Sequence, residues 1–190
     1  MRWIWIDRFI EFESGRRAKA IKNVTLAEDH LHDHFYGYPV MPNSLITEGL
    51  AQTGGILVGE HGNFEEKVIL AKISRARFEF AARPGDTLVY TAEIQDIRKD
   101  GAVVSATSHV GDRLQAQAEL MFAHLDQGIG GKTLFEPKNF VFTMKLLGVF
   151  DVGRQSDGSP VTQPPGLRKW RAENDEPRSE PARRRVHRGA

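Results

Sequence analysis

Pro42-Asn43-Ser44-Leu45-Ile46-Thr47-Glu48-Gly49-Leu50-Ala51-Gln52-Thr53-Gly54-Gly55-Ile56-Leu57-Val58-Gly59-Glu60 is the stretch that decides the fold. Proline suits the first turn of a helix, and Asn or Ser suits its cap, so a helix is expected from about Ser44 to Glu60. Leu45, Ile46, Leu50, Ala51, Ile56, Leu57 and Val58 spread round most of its circumference. A helix that is apolar on most sides is a buried one. Beyond Gly62 the pattern changes to strands. Val68–Phe80, Thr87–Arg98, Ala102–Val110 and Arg113–His124 are long segments separated by Pro84-Gly85-Asp86, Lys99-Asp100-Gly101 and Gly111-Asp112. In the last of them Leu114, Ala116, Ala118, Leu120 and Phe122 share one parity, the signature of a strand with one buried face. Upstream, 7–13 and 17–25 read as a hairpin around Ser14-Gly15-Arg16. One buried helix and an antiparallel sheet wrapped round it make an α+β fold.

The chain has 190 residues, 26 Lys+Arg against 25 Asp+Glu, and no Cys. Without Cys there is no disulfide framework, thiolate zinc site, iron–sulfur cluster or Cys nucleophile. A net charge of +1 supplies no overall field for nucleic acid, so no nucleic-acid partner is expected. No apolar run reaches the length of a membrane span, and Met1-Arg-Trp-Ile-Trp-Ile-Asp-Arg8 has charge within its apolar stretch, unlike a signal peptide. A cytoplasmic protein with no membrane partner is the expectation.

The average conceals an uneven chain. Three parts are expected: a folded domain over 1–130, an apolar extension over 131–150, and a tail over 151–190. The extension holds Phe135, Phe140, Phe142, Met144, Leu146, Leu147 and Phe150, too many for a plain linker. The tail holds Pro160, Pro164, Pro165, Pro177 and Pro181 and a surplus of basic side chains, ending in Arg183-Arg184-Arg185-Val186-His187-Arg188. With so little apolar surface to bury it reads as disordered, its basic end as a solvated terminus.

The chemistry gathers just before and inside the helix. His30, His32 and His34 alternate, so on a strand they would share a face, a parity that permits a metal site but converges poorly. His34 stands beside Phe35 and suits a general base near neutral pH. Glu48 is a carboxylate in the most apolar helix. Burial there should raise its pKa, which is what a general acid at neutral pH needs. Ser44 is in no nucleophile elbow and reads as a capping hydroxyl. Lys72, Arg75 and Arg77, with Arg98 and Lys99, read either as a solvated face or as a rim for an acidic partner.

His34-Phe35-Tyr36-Gly37-Tyr38-Pro39-Val40-Met41-Pro42, followed by Leu45-Ile46-Thr47-Glu48-Gly49-Leu50-Ala51-Gln52, resembles the signature of the FabZ-type 3-hydroxyacyl acyl-carrier-protein dehydratases, H-F-P-G-x-P-x-x-P-G-V-L-x-x-E-A-x-A-Q. The spacing from His34 to Glu48 is the family's. Asp7-Arg8, Ala20-Ile21-Lys22-Asn23-Val24, Arg83-Pro84-Gly85-Asp86 and Ala118-Glu119-Leu120-Met121 extend the resemblance over about 5–126. It implies a hotdog fold and a homodimer with a continuous sheet, often assembled further into trimers of dimers. It implies a catalytic pair drawn from both subunits, His34 as base and Glu48 as acid. Gly37 would polarise the thioester carbonyl, and Phe35, Val40 and Gln52 would line the substrate. Arg75, Arg77, Arg98 and Lys99 would meet an acidic acyl carrier protein. No metal and no organic cofactor are implied. Tyr36 and Asn43-Ser44 depart from the signature, and Asn is expected to take the backbone angles that Gly would allow. Glu48, where the related dehydratase-isomerase has Asp, argues for dehydration alone. A hotdog thioesterase and a non-enzymatic hotdog subunit or carrier-binding module are the competing readings.

Overall fold

Alternation along Ala102–Ser108 and along Ala116–Phe122 puts every second side chain into the core, and that period builds the sheet. In the computed structural model, residues 3–64, 66–125 and 137–163 are described, with backbone alone for Asp33 and 137–140. Seven strands form one sheet: β1 (Arg8–Glu13), β2 (Arg17–Asn23), β3 (Lys67–Phe78), β4 (Thr87–Arg98), β5 (Gly101–Val110), β6 (Arg113–Leu125) and β7 (Gly153–Arg154). Their order is β3-β6-β5-β4-β2-β1-β7. Every pairing is antiparallel except that of β1 with β7.

Helix α2 (Asn43–His61) lies in the concave face of this sheet, against β2, β3, β4, β5 and β6. Ile46, Leu50 and Leu57 are fully buried there against Leu88, Tyr90, Val104, Ala106 and Leu120. The expected wrapped helix is thus present, beginning one residue earlier than the composition suggested. Pro42 stands at its N-cap without a side-chain cap bond. Ser44 is the second helical residue and is exposed, so it is not the cap. Among the described residues, positive φ outside glycine is confined to Asn63 and Phe64, so Asn43 needs no unusual backbone angles. Proline's own fixed φ makes the turn instead.

Two further differences come from tertiary contacts. Residues 30–33 form a one-turn helix, α1 (His30–Asp33), not a strand. Leu31 drives it, being almost wholly buried, and the helical turn separates His30, His32 and His34 instead of aligning them on one strand face. Among the described residues, no group of three or more His, Cys, Asp or Glu side chains is gathered as a metal would need.

The second difference is at the C-terminal end. Residues 151–163, assigned by composition to a disordered tail, are ordered on the sheet. Helices α3 (Pro137–Leu146) and α4 (Val149–Val152) lead into β7, which pairs with Phe12 and Glu13 of β1. Met144, Leu147, Val149 and Val161 join the main core. The Phe9 N–H donates to Leu147 O at 2.8 Å, and the Ser14 N–H to Arg154 O at 2.8 Å. Composition missed this because a strand of two residues is created by the edge it meets. Residues 126–136 and 164–190, with the basic cluster at Arg183, lie outside the described residues. Among the described residues no helix is long and apolar enough to cross a membrane.

Candidate active site

A polar cluster at the end of β2 fixes the approach to His34. Lys22 is 5 % exposed, and its Nζ donates to Glu28 Oε1 at 2.7 Å and to the Asn23 carbonyl at 2.5 Å. Asp7 Oδ2 accepts from the Asn23 backbone N–H at 2.7 Å and from Asn23 Nδ2 at 2.9 Å. The Val24 N–H donates to Asp86 O, and the Gly85 N–H to Val24 O, both at 2.9 Å. These bonds hold the 24–29 loop at its root, and α1 follows from it. His30 Nε2 is buried and its ring meets Trp5 edge to face at 5.1 Å. Burial lowers the His30 pKa from its usual 6.5, outweighing the nearby carboxylates.

His34 ends this turn on the surface, its ring 4.3 Å from that of Phe35. Phe35 and Tyr38 are about half exposed, and Tyr36 is 99 % exposed. The Tyr38 N–H donates to Phe35 O at 2.9 Å and closes a turn through Gly37, whose φ of 73° is one that side chains resist. Gly37 is exposed, and its N–H has no hydrogen-bond partner among the described residues. Beyond it the chain dives inward. Val40 and Met41 are buried, and the Met41 N–H donates to Ala82 O at 2.9 Å, tying this loop to the one before β4.

Glu48 lies in the second turn of α2. It is half-buried, not enclosed as the apolar helix suggested. Gln52, one turn on, donates from Nε2 to Glu48 Oε1 at 2.9 Å and to Trp3 O at 2.9 Å. Its Oε1 accepts from the Trp5 N–H at 2.8 Å. That amide is therefore committed to the protein on both ends, which fits a clamp on the carboxylate better than a substrate contact. Between them Gly49 lets the helix approach β4: a Cβ there would lie 2.5 Å from Tyr90 Cε2 and 2.9 Å from Trp5 O. Burial, with Asp7 and Glu28 nearby, pushes the Tyr90 phenol far up, so it stays protonated. Sequence reasoning missed the Trp3–Trp5 segment. The only signal for it was a pair of tryptophans at strand spacing.

His34 and Glu48 are not hydrogen-bonded to each other within the chain. The basic residues are also not one group. Arg75 and Arg77 are in register with Glu119 and Gln117 of β6, whereas Arg98 is in register with Gly101 where β4 turns into β5, three strands away from β3. Arg77 is bonded to Glu79 and Arg98 to Asp96, each with its shortest contact below 3 Å. Arg75 and Lys99 are exposed and without an ion pair among the described residues.

The FabA-like domain model matches residues 3–119. A relative from Pelotomaculum thermopropionicum, named 3-hydroxyacyl acyl-carrier-protein dehydratase FabZ, is 41 % identical over 122 residues, 64 % of this chain and 87 % of its own length. One of the same name from Caldanaerobacter subterraneus is 40 % identical over 126 residues, 66 % of this chain and 89 % of its own length. This chain belongs to the FabZ-type dehydratase family. Among solved structures, a conserved protein of Pseudomonas aeruginosa shares the fold with TM-score 0.53 and 19 % identity, covering 62 % of this chain and 87 % of that one. An uncharacterised protein of Pyrococcus horikoshii does so with TM-score 0.54 and 16 % identity, covering 67 % and 88 %. The fold is the hotdog fold, with α2 as its central helix. The family model's match ends before α3, α4 and β7.

Proposed function

We propose that the chain removes water from a (3R)-3-hydroxyacyl thioester of acyl carrier protein, giving the trans-2-enoyl thioester, in cytoplasmic fatty acid biosynthesis. The observation that carries this is the joint one: FabZ-type relatives at about two-fifths identity, with His34 exposed beside a free Gly37 N–H and Glu48 clamped by Gln52. His34 takes the proton from C2. The electron pair left there forms the C2–C3 double bond as the C3–O bond breaks. Glu48 protonates the departing hydroxyl, which leaves as water. The Gly37 N–H donates to the thioester carbonyl and stabilises charge that develops on its oxygen. The positive end of α2 adds to this.

His34 and Glu48 are not hydrogen-bonded to each other within one chain, and among the described residues β3 is a long uncovered edge. Both features support a homodimer in which β3 pairs with its copy and each site takes His34 from one subunit and Glu48 from the other. Trimers of dimers are the further assembly that membership of the family suggests. Phe35 and Val40 would border the acyl chain, and of the four basic residues expected at the carrier surface Arg75 and Lys99 have no ion pair among the described residues. Arg77 and Arg98 would have to leave Glu79 and Asp96 to meet the carrier.

The test is incubation of the purified protein with a 3-hydroxyacyl carrier thioester. Enoyl thioester is the expected product. Release of free acid and thiol would instead indicate a hotdog thioesterase, and no product a non-enzymatic carrier-binding module.

A further inference from the structure

Arg83 is a cation that the dehydration chemistry leaves unused. It opens the turn before β4, where its backbone N–H donates to Asp86 Oδ2 at 2.8 Å and its carbonyl accepts from the Asp86 N–H at 3.0 Å. The preceding residue, Ala82, accepts the Met41 N–H, so this turn is stitched to the loop that carries Gly37. Across the stitch, the Arg83 guanidinium carbon lies 4.6 Å from the centroid of the Tyr38 ring. Tyr38 is four residues beyond His34 and closes the Gly37 turn.

Arg83 is exposed and, among the described residues, no carboxylate pairs with it. Arg16, Arg17, Arg77 and Arg98 are each ion-paired. A guanidinium stacked on an aromatic ring uses its face, while its N–H donors lie in the plane and stay available for a two-pronged acceptor. Phosphate is such an acceptor, and charge-assisted bonds to it are about twice as strong as neutral ones. Stacking also removes side-chain freedom before a ligand arrives, which lowers the cost of binding. The turn below is rigid for the same reason: Asp86 closes it twice.

We propose that Arg83, held on Tyr38, binds the phosphodiester of the arm that carries the acyl thioester. The proposal rests on the dehydratase reading, which brings a carrier-linked thioester to His34. Arg83 would anchor the arm at its phosphate while the thioester reaches Gly37 and His34. It does no chemistry on the acyl group, so its signature is in binding and not in turnover.

The experiment compares three substrates with the same 3-hydroxyacyl group: a pantetheine thioester, a 4′-phosphopantetheine thioester and the carrier-linked thioester. Arg83→Gln should raise KM for the phosphorylated arm about tenfold, equivalent to about 1.4 kcal/mol, with kcat unchanged. The same variant should handle the pantetheine thioester like wild type. Tyr38→Leu should give a smaller loss on the same substrates. Equal losses with and without phosphate, or no loss, overturn the proposal. So does a loss confined to the carrier-linked substrate, which would put Arg83 against the carrier's own surface. Calorimetry with 4′-phosphopantetheine alone reads Arg83 without turnover. Weaker binding by Arg83→Gln supports the assignment, and equal or absent binding by both proteins overturns it. A wild type that turns over none of the thioesters fails the dehydratase reading, and the calorimetric comparison still decides Arg83.

Discussion

The two edges of the sheet have opposite fates. At one edge β1 is only six residues long and is covered from within: β7 pairs with it, Leu147 accepts the Phe9 amide and Arg154 that of Ser14 just beyond the strand, and Met144, Leu147, Val149 and Val161 seal the core behind it. At the other, β3 runs twelve residues, pairs with β6 on one side, and has no cover among the described residues on the other. Most of it is exposed, Leu70 and Ile73 included. An edge of unpaired N–H and C=O groups invites another strand, and charges and bulges are the usual defence. The β3 edge carries Lys72, Arg75 and Arg77 and register shifts after Leu70 and Ile73, so only a strand that fits those charges and bulges can pair with it, which selects one partner rather than any free strand. The lesson is that one edge is finished by the chain itself. The other is left for a partner, which on our reading is a second copy.

The strongest challenge to this contrast is catalytic. His34→Ala and Glu48→Ala should each lower kcat/KM by about 100- to 10,000-fold, the range for losing a general acid or base. If the site is shared across β3, mixing the two variants after subunit exchange should restore part of the activity, because a mixed dimer holds one intact pair. No recovery in a mixture shown to exchange would mean that the site is not shared.

Charge tests the open edge directly. Ile73→Lys adds to Lys72 and Arg75 on an exposed strand, and like charges brought together across a strand pair are unfavourable. Dimer dissociation, followed by light scattering against concentration, should strengthen by about tenfold, with far-ultraviolet circular dichroism unchanged. On the covered edge, Leu147→Ala should cost about 3 kcal/mol of stability by denaturant unfolding, while the oligomer and its turnover stay as they were. If Leu147→Ala instead splits the dimer, the two edges are not independent.

The smallest effect is one of pH. On β1, burial raises the Glu11 pKa, but Lys19 and Arg17 outweigh it and hold the group below its usual 4.5. A depressed carboxylate contributes stability above the unfolded value and loses it as pH falls through the folded one. Glu11 is partly exposed, so the contribution is about 0.5 kcal/mol. Below pH 4.5 the wild type should lose that margin relative to Glu11→Gln in thermal unfolding. A constant difference down to about pH 3 would remove Glu11 from the hold on β1.

The legible parts of the sequence were those set by period. Apolar side chains all round Leu45–Val58 require a buried helix, and one parity from Leu114 to Phe122 requires a strand with a single wet face. Spacing also put Glu48 and Gln52 one turn apart on the same face, although not the tryptophan backbone groups that complete the clamp. Short elements were illegible because their own residues do not specify them. The α1 turn is there because Leu31 is buried and Lys22 grips Glu28. At the far end of the chain, Gly153-Arg154 is a strand only because β1 offers it partners.

By itself, then, the sequence determined the helix, the sheet and the residues able to do acid–base chemistry, since period and residue type are local properties. Only the tertiary structure decided which sheet edge stays open, that Glu48 is half-buried and held, that Arg75 and Arg98 lie on strands three apart, and that Arg83 stacks on Tyr38. Each of those depends on groups far apart in the chain, and the distance between them is fixed only when the core packs.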